Sequence, residues 1–392
     1  MNLILENLQK SYKAEFYLLI CMMFISAILE TLSIGLFIPV ITLLTNNNIF
    51  ELYPQLNFLV EIIGTPTKQN QILIFLGFFL LIFIFKNVFL LFYIWRESEF
   101  VSKIKEFTSM KLYKNYLQKD YHFHVKNNSS KIISRITADL NLYAASVHGF
   151  IQYIAEFLVL IFISSFLISF EPLGFLFSTI FLITLTSILY LLTKKTIRNI
   201  GQERVKEEAN KVKKLQEAFV GIKDIKTFKT ENKFINAYDL LSIKLLNIYK
   251  LFRFYRGIPR IYFEVISVIT IVSFILFLFY FDNELSYILT VIAVFTFAAF
   301  RLLPSVNKIF SAIQLIKFAG KPINLISQDL KQKVKNIKNL NEVNFNSLRL
   351  KNLSFKYSNK KKYIIKKLNF EIKRGEKVAI IGETGSGKTT IL

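Results

Sequence analysis

Residues 375–392 read GEKVAIIGETGSGKTTIL. Gly382, Gly387, Lys388 and Thr389 stand at the spacing G-x-x-x-x-G-K-T, after the apolar run Val378-Ala379-Ile380-Ile381. The pattern predicts a buried strand, a glycine-rich turn and the first residues of a helix. That geometry suits the phosphates of a nucleotide. Glycines let the backbone curl until consecutive N–H groups point at one anion. The loop Gly382, Glu383, Thr384, Gly385, Ser386, Gly387 would cradle phosphate, Lys388 would reach the β- and γ-phosphates, and Thr389, followed by Thr390, would offer a hydroxyl to Mg²⁺. The plainer alternative is an ordinary Gly-rich strand-to-helix turn, which requires neither the Lys nor the Thr. The expected cofactors are ATP and Mg²⁺.

Working outward, the rest of the chain has the composition of a membrane protein. Of 392 residues, 53% are hydrophobic and 41 are Phe. Such residues in long uncharged runs fit a bilayer better than a soluble core. The net charge of +23 would suggest nucleic acid in a soluble protein. Here the basic residues form blocks between apolar runs, which fits cytoplasmic loops and anionic headgroups instead. The expected partners are therefore membrane lipids, with no nucleic acid. The single cysteine, Cys21, excludes a disulfide framework within the chain. The first residues do not form a cleavable signal, because no small-residue site follows a short apolar segment. The richness in Lys, Ile, Asn and Phe suggests a bacterial source.

A membrane helix needs about 20 apolar residues. Six runs meet that length, at about 16–44, 72–95, 151–170, 173–193, 261–281 and 285–303. The links Glu171-Pro172 and Asp282-Asn283-Glu284 are short enough to make the flanking helices antiparallel neighbours. Lys and Arg set the orientation. Segment 96–150 carries nine of them and 194–260 carries seventeen, whereas 45–71 has only Lys68. Both long basic segments, both termini and the P-loop are thus placed in the cytoplasm. Residues 96–118 and 194–218 read as helices continuing out of the bilayer, with turning points at 121–130 and 219–229. Residues 46–66 carry an apolar face suited to a short helix lying on the external surface, with a packed loop as the alternative. After a helical stretch at 309–330 comes a polar linker, 331–347. Short strand patterns follow: LRLKNLSFKY, a turn at Ser358–Lys362, YIIKKLNFEI, and a turn at Arg374-Gly375. The expected division is a membrane domain over 1–330, the linker 331–347, and the start of a nucleotide-binding domain over 348–392.

Six membrane helices with cytoplasmic extensions, two cytoplasmic tips, a linker and a P-loop resemble an ATP-binding cassette exporter half-transporter. The resemblance implies a mainly α fold: a six-helix polytopic transmembrane domain of the type I exporter kind, followed by the truncated start of an α/β P-loop domain. It implies that Tyr357 in LSFKY stacks on adenine, and that the two tips are coupling helices. It also implies a homodimer closing around two ATP molecules in a bacterial inner membrane. ETLSIGLFIPVITLL (30–44), PRIYFE (259–264) and FRLLPSVNKI (300–309) further resemble the PglK-type flippase of lipid-linked oligosaccharides. On that resemblance Lys86, Arg260 and Arg301 would face the cavity and contact a diphosphate. The alternative for these cations is snorkelling, or pairing with Glu30 or Glu264.

Competing readings remain. One is a peptide or multidrug exporter. Another is a truncated, non-catalytic half-transporter acting as an assembly partner or remnant. Hydrolysis needs a carboxylate to orient water, a second to hold Mg²⁺ and a signature segment. Within the 392 residues no catalytic residue is identified, so ATPase activity is expected only if those segments follow, the chain being a fragment or a product of a split or truncated gene. His122 and His124, two apart with no third ligand nearby, read as surface residues and not as a metal site.

Overall fold

The computed structural model describes residues 10–36, 68–170, 172–280, 285–331, 345–356 and 363–392. The external segment 46–66, the end of the first span beyond residue 36, most of the linker, the turn at Ser358–Lys362 and Tyr357 lie outside these residues. The chain divides into two compact units, Met1–Val334 and Lys335–Leu392.

The first unit is helical. It consists of α1 (Lys10–Gly35), α2 (Lys68–Leu117), α3 (Tyr121–Lys126), α4 (Ser129–Ser134), a π-helical turn at Arg135–Asp139, α5 (Leu140–Phe170), α6 (Pro172–Val220), α7 (Ile222–Phe228), α8 (Glu231–Tyr280), α9 (Leu285–Phe318) and α10 (Gly320–Lys331). At 1.5 Å per residue, the 50 residues of α2 make a rod of about 75 Å, more than twice the ~30 Å hydrocarbon core. The charged halves of α2, α6 and α8 therefore stand outside any bilayer that holds their apolar halves. Among the described residues, five helices are long and apolar enough to cross a membrane: Tyr12–Gly35, Leu76–Leu117, Ser129–Ser169, Glu231–Leu276 and Val291–Phe318. The expected span 173–193 forms the first part of α6 and is not among the five.

Local chemistry explains the element ends. Pro172 opens α6, where its missing N–H costs nothing. Asn128 caps α4 by accepting the Ser130 N–H at 3.0 Å. α6 stops at Gly221, and the seven-residue α7 ends on Lys229 in a left-handed conformation (φ 51°) that lets Thr230 N–H reach Ile225 O at 3.1 Å. The helix expected over 309–330 is interrupted at Ala319, between α9 and α10.

Apolar side chains join the helices. Leu19 and Met23 of α1, Phe100, Ile104 and Leu112 of α2, Tyr143, Val147 and Ile151 of α5, and Ile323 and Ile326 of α10 form one core. A second core, nearer the other end of α1, contains Ala27, Ile34, Ile163, Leu167, Val294 and Ala298. Its alanines allow the close backbone approach on which packing in lipid depends. The faces of α2 carrying Leu80, Leu81, Phe85, Leu91 and Trp95 are exposed, as a lipid-facing surface would be. Where α6 meets the end of α9, only glycine fits. A Cβ on Gly201 would run into the Phe318 carbonyl oxygen and lie 3.0 Å from the Phe318 Cα. The Phe318 ring stacks on Phe252 of α8 at 3.9 Å between centroids.

Two polar groups, one around Arg204 and one around Asp329, tie the charged ends together. Arg204 of α6 and Asp139 of the π-turn are each 3% exposed and pair at 2.6 Å. Tyr249 accepts from Arg204 at 3.2 Å and donates to Glu208 at 2.7 Å. Asp329 of α10 accepts from the Tyr116 hydroxyl at 2.5 Å and from Arg135 at 2.6 Å.

The second unit contains β1 (Ser347–Phe355) and β2 (Ile365–Lys373), antiparallel, with Ser347 opposite Lys373 and Phe355 opposite Ile365. The register is irregular around Leu353, beside Asn352 in a left-handed conformation (φ 49°). Arg349 and Glu371 face each other across the ladder in a two-point bridge of 2.8 and 2.9 Å. That bridge holds the Glu371 carboxyl below its ordinary range. The chain turns at Arg374-Gly375 (Gly375 φ 83°) and reaches the four-residue α11, Lys388–Ile391.

Candidate nucleotide site and intramembrane charge cluster

The strand expected at Val378–Ile381 does not form. Among the described residues no neighbouring strand pairs with it, so its backbone lacks a ladder and Ile381 is 93% exposed. A buried parallel strand is apolar because partners flank it on both sides, and among the described residues the sheet is the two-stranded β1–β2 ladder. The loop that follows is formed nonetheless. Gly385 and Gly387 have φ of 89° and 96°, values that L side chains rarely adopt. A Cβ on Gly387 would also lie 2.8 Å from the Ile364 Cγ2, and one on Gly382 would lie 2.9 Å from the Ser386 Oγ. Ser386 N–H closes the turn on Glu383 O at 3.2 Å, and Thr390 and Ile391 N–H bond to Gly387 O at 3.0 and 3.1 Å. The Lys388 ammonium folds back across the loop, donating to Gly382 O and to Glu383 O, the latter at 2.7 Å.

This geometry fits an oxyanion. The N–H groups of Gly385, Gly387, Lys388 and Thr389 take no backbone acceptor among the described residues. Three of them, at Gly387, Lys388 and Thr389, are consecutive at the start of α11, a backbone pattern suited to phosphate. Thr384 lies in the turn and Thr389 in the first turn of α11.

The three cavity cations fare differently. Arg301 of α9 is paired with Glu30 of α1 and lies 3.4 Å from Glu156 of α5. Ser305 accepts from Arg301 at 2.9 Å and donates to Glu156 at 2.7 Å. Lys308 reaches the other Glu156 oxygen at 2.6 Å. Arg301 is thus held by two carboxylates from two helices. Lys86 of α2 is buried, lies over the Phe83 ring at 4.2 Å, and is within electrostatic range of Glu30 and Arg301. It makes no ion pair among the described residues. Arg260 is exposed on α8 and, like Glu264, stays outside this cluster. Glu156, Ser305 and Lys308 were not singled out from the sequence. Glu156 did carry a signal, being a carboxylate inside the apolar run 151–170. His122 is exposed at the tip, and no group of three or more His, Cys, Asp or Glu able to hold a metal occurs among the described residues.

Long apolar helices joined by a buried charge network, in a chain that also carries a glycine loop of this form, define a multi-pass membrane protein with a nucleotide-binding segment. Residues 365–392 match the ABC transporter family. The chain is 25% identical over 367 residues to the multidrug resistance-like ATP-binding protein MdlA of Buchnera aphidicola, an alignment covering 90% of this chain and 62% of that protein. It is 33% identical over 104 residues to the glutathione/L-cysteine transport system ATP-binding/permease protein CydC of Haemophilus influenzae, covering 26% and 18%. It is 41% identical over 68 residues to the lacticin-481/lactococcin-DR transport/processing ATP-binding protein lcnDR3 of Lactococcus lactis, covering 17% and 10%. The similarity to the ABC transporter family is therefore carried by residues 365–392, and the longer matches include a multidrug resistance-like ATP-binding protein. The chain spans between 10% and 62% of the length of these three.

Proposed function

We propose that the chain acts in an ATP-driven ABC exporter of the bacterial inner membrane. In this reading residues 173–193 supply the sixth span, both termini face the cytoplasm, and two copies work as a homodimer. The observation that carries it is the loop 382–389, with its two left-handed glycines, its unspent amides and the lysine lying across them. Bound ATP supplies the free energy by phosphoryl transfer to water. The chain's own residues would bind and orient: the amides of Gly385, Gly387, Lys388 and Thr389 and the Lys388 ammonium would hold phosphate oxygens, the Thr389 hydroxyl would be offered to Mg²⁺, and Tyr357 would stack on adenine. The test is binding of a fluorescent ATP analogue to the purified chain, with and without Mg²⁺. Saturable binding lost in Lys388→Ala supports the reading; equal binding by both proteins refutes it and favours the non-catalytic half-transporter.

For the substrate, a peptide or multidrug exporter agrees with the names of the lacticin and multidrug resistance-like relatives. A second reading, flipping of a lipid-linked oligosaccharide, is favoured by one observation. Lys86 is a buried ammonium without a carboxylate in contact, so it is available to an anionic group such as a diphosphate. Arg301, already matched by Glu30 and Glu156, supports it less. Binding of a polyprenyl diphosphate glycan that weakens in Lys86→Gln would select the second reading; equal binding would select the first.

A further inference from the structure

A second group of ionisable side chains lies about 16 Å along α2 from Lys86, eleven residues on, and plays no part in the functions above. Glu97 of α2 has its side chain 7% exposed, with the His148 Nδ1 of α5 2.8 Å from its Oε1 as an ion pair, although that oxygen receives no hydrogen bond of normal geometry among the described residues. One turn away on α2, the Tyr93 hydroxyl is buried and makes no hydrogen bond of normal geometry among the described residues. It lies within electrostatic range of both Glu97 and Glu156. The titratable and charged groups within reach of this site come from α2, α5, α8 and α9. On α2 itself there is Tyr93. On α5 there are His148 and Glu156, and Glu156 is already engaged by Arg301 and Lys308 of α9. On α8 there is Arg256, exposed and within electrostatic range of His148. Glu97 therefore has a single cation in contact among the described residues, and that cation exists only while the imidazole is protonated.

We propose that Glu97, His148 and Tyr93 form a proton-binding site that clasps α2 to α5 when His148 is protonated and releases them when it is not. The argument is one of compensation. A carboxylate at this depth is tolerated when paired and is costly when alone. With His148 charged, the pair is neutral and α2 and α5 are joined across the bundle. As pH rises through the histidine's titration, the proton leaves and Glu97 remains as an uncompensated buried charge. Rotation or separation of the helices then lets water reach it. His148 is half-exposed, so protons exchange with solvent, while Glu97 and Tyr93 are shielded. Histidine is the side chain suited to a switch between about pH 6 and 8. The site would make the membrane unit sensitive to pH on the His148 side, and it does not depend on the nucleotide reading.

The experiment uses the full chain in proteoliposomes. Nitroxide labels are placed at Ser102→Cys on α2 and Asn141→Cys on α5, both exposed positions, in a Cys21→Ser background. The distance distribution is measured by double electron–electron resonance from pH 5.5 to 8.5. The expected result is a two-state profile, the separated population rising about tenfold across the histidine range. That profile should persist when His122 and His124 are changed to Gln, and should be flat in His148→Gln and in Glu97→Gln. Circular dichroism identifies any variant that fails to fold, and the other then supplies the result. A flat profile in the parent protein overturns the proposal, as does an undiminished profile in Glu97→Gln or His148→Gln.

Discussion

Asp139→Asn should be one of the most damaging isosteric changes in the membrane unit. Asp139 and Arg204 are both 3% exposed and 2.6 Å apart, so water screens neither. At an effective dielectric of about 20 their Coulomb attraction is on the order of 6 kcal/mol. Desolvation offsets most of that in the intact pair, but removing one partner leaves the other charged and buried, at a cost of about 3–5 kcal/mol. Arg204 would keep only Tyr249 at 3.2 Å and Glu208 at 3.9 Å. The loss should lower the midpoint of thermal unfolding by on the order of 5 °C, followed by circular dichroism at 222 nm on detergent-purified protein. The double variant Asp139→Leu/Arg204→Met separates this account from a general intolerance of substitution. Replacing both charges with apolar groups forfeits the Tyr249 hydrogen bond, about 1 kcal/mol, and removes the desolvation penalty. It should therefore be more stable than Asp139→Asn alone. A single variant within about 1 °C of the parent, or a double variant worse than the single, would refute the reasoning.

Other expectations concern the two candidate sites and one packing contact. Gly387→Ala meets both an unfavourable backbone angle and the Ile364 side chain at 2.8 Å, so binding of a fluorescent ATP analogue should fall at least about tenfold. Gly201→Ala should destabilise the membrane unit by about 1–3 kcal/mol, because its methyl meets backbone at Phe318 and not a side chain that can turn away. Glu30→Gln should lower the unfolding midpoint by leaving Arg301 with Glu156 alone, whereas Lys86→Gln should leave it within about 2 °C. Substrate binding discriminates further, since it should respond to Lys86→Gln at unchanged stability.

The parts legible in the sequence were those governed by local pattern. The G-x-x-x-x-G-K-T spacing gave the loop because its glycines are required by backbone angles alone. The change from apolar to charged runs located the long helices and the turning points at 121–130 and 219–229, where α3, α4 and α7 lie. What escaped were contacts between distant positions. Pairing with Glu30 was an alternative open to all three cations and is met by Arg301, but nothing near Asp329 indicates Tyr116 or Arg135. Glu156 was overlooked because a single carboxylate hardly changes the hydropathy of a 20-residue run. The strand at Val378–Ile381 was expected from an apolar run, but ladder formation depends on neighbours that such a run cannot supply. Tyr357 and the external segment 46–66 lie outside the described residues.

The contact between Gly201 and Phe318 has a mechanical consequence. With no side chain between them, the backbones of α6 and α9 meet at one point, and the stacked Phe252 and Phe318 rings hold that point from the side of α8. Hard surfaces in contact can roll but cannot come closer. A rearrangement of α6 against the end of α9 that keeps this contact would pivot about residue 201, the two arms of α6 moving in opposite directions on either side. A displacement too small to notice at that fulcrum grows in proportion to the distance along the helix. From Gly201 to the end of α6 at Val220 the helix runs about 28 Å, so a turn of about five degrees there shifts the tip that precedes α7 by about 2.5 Å.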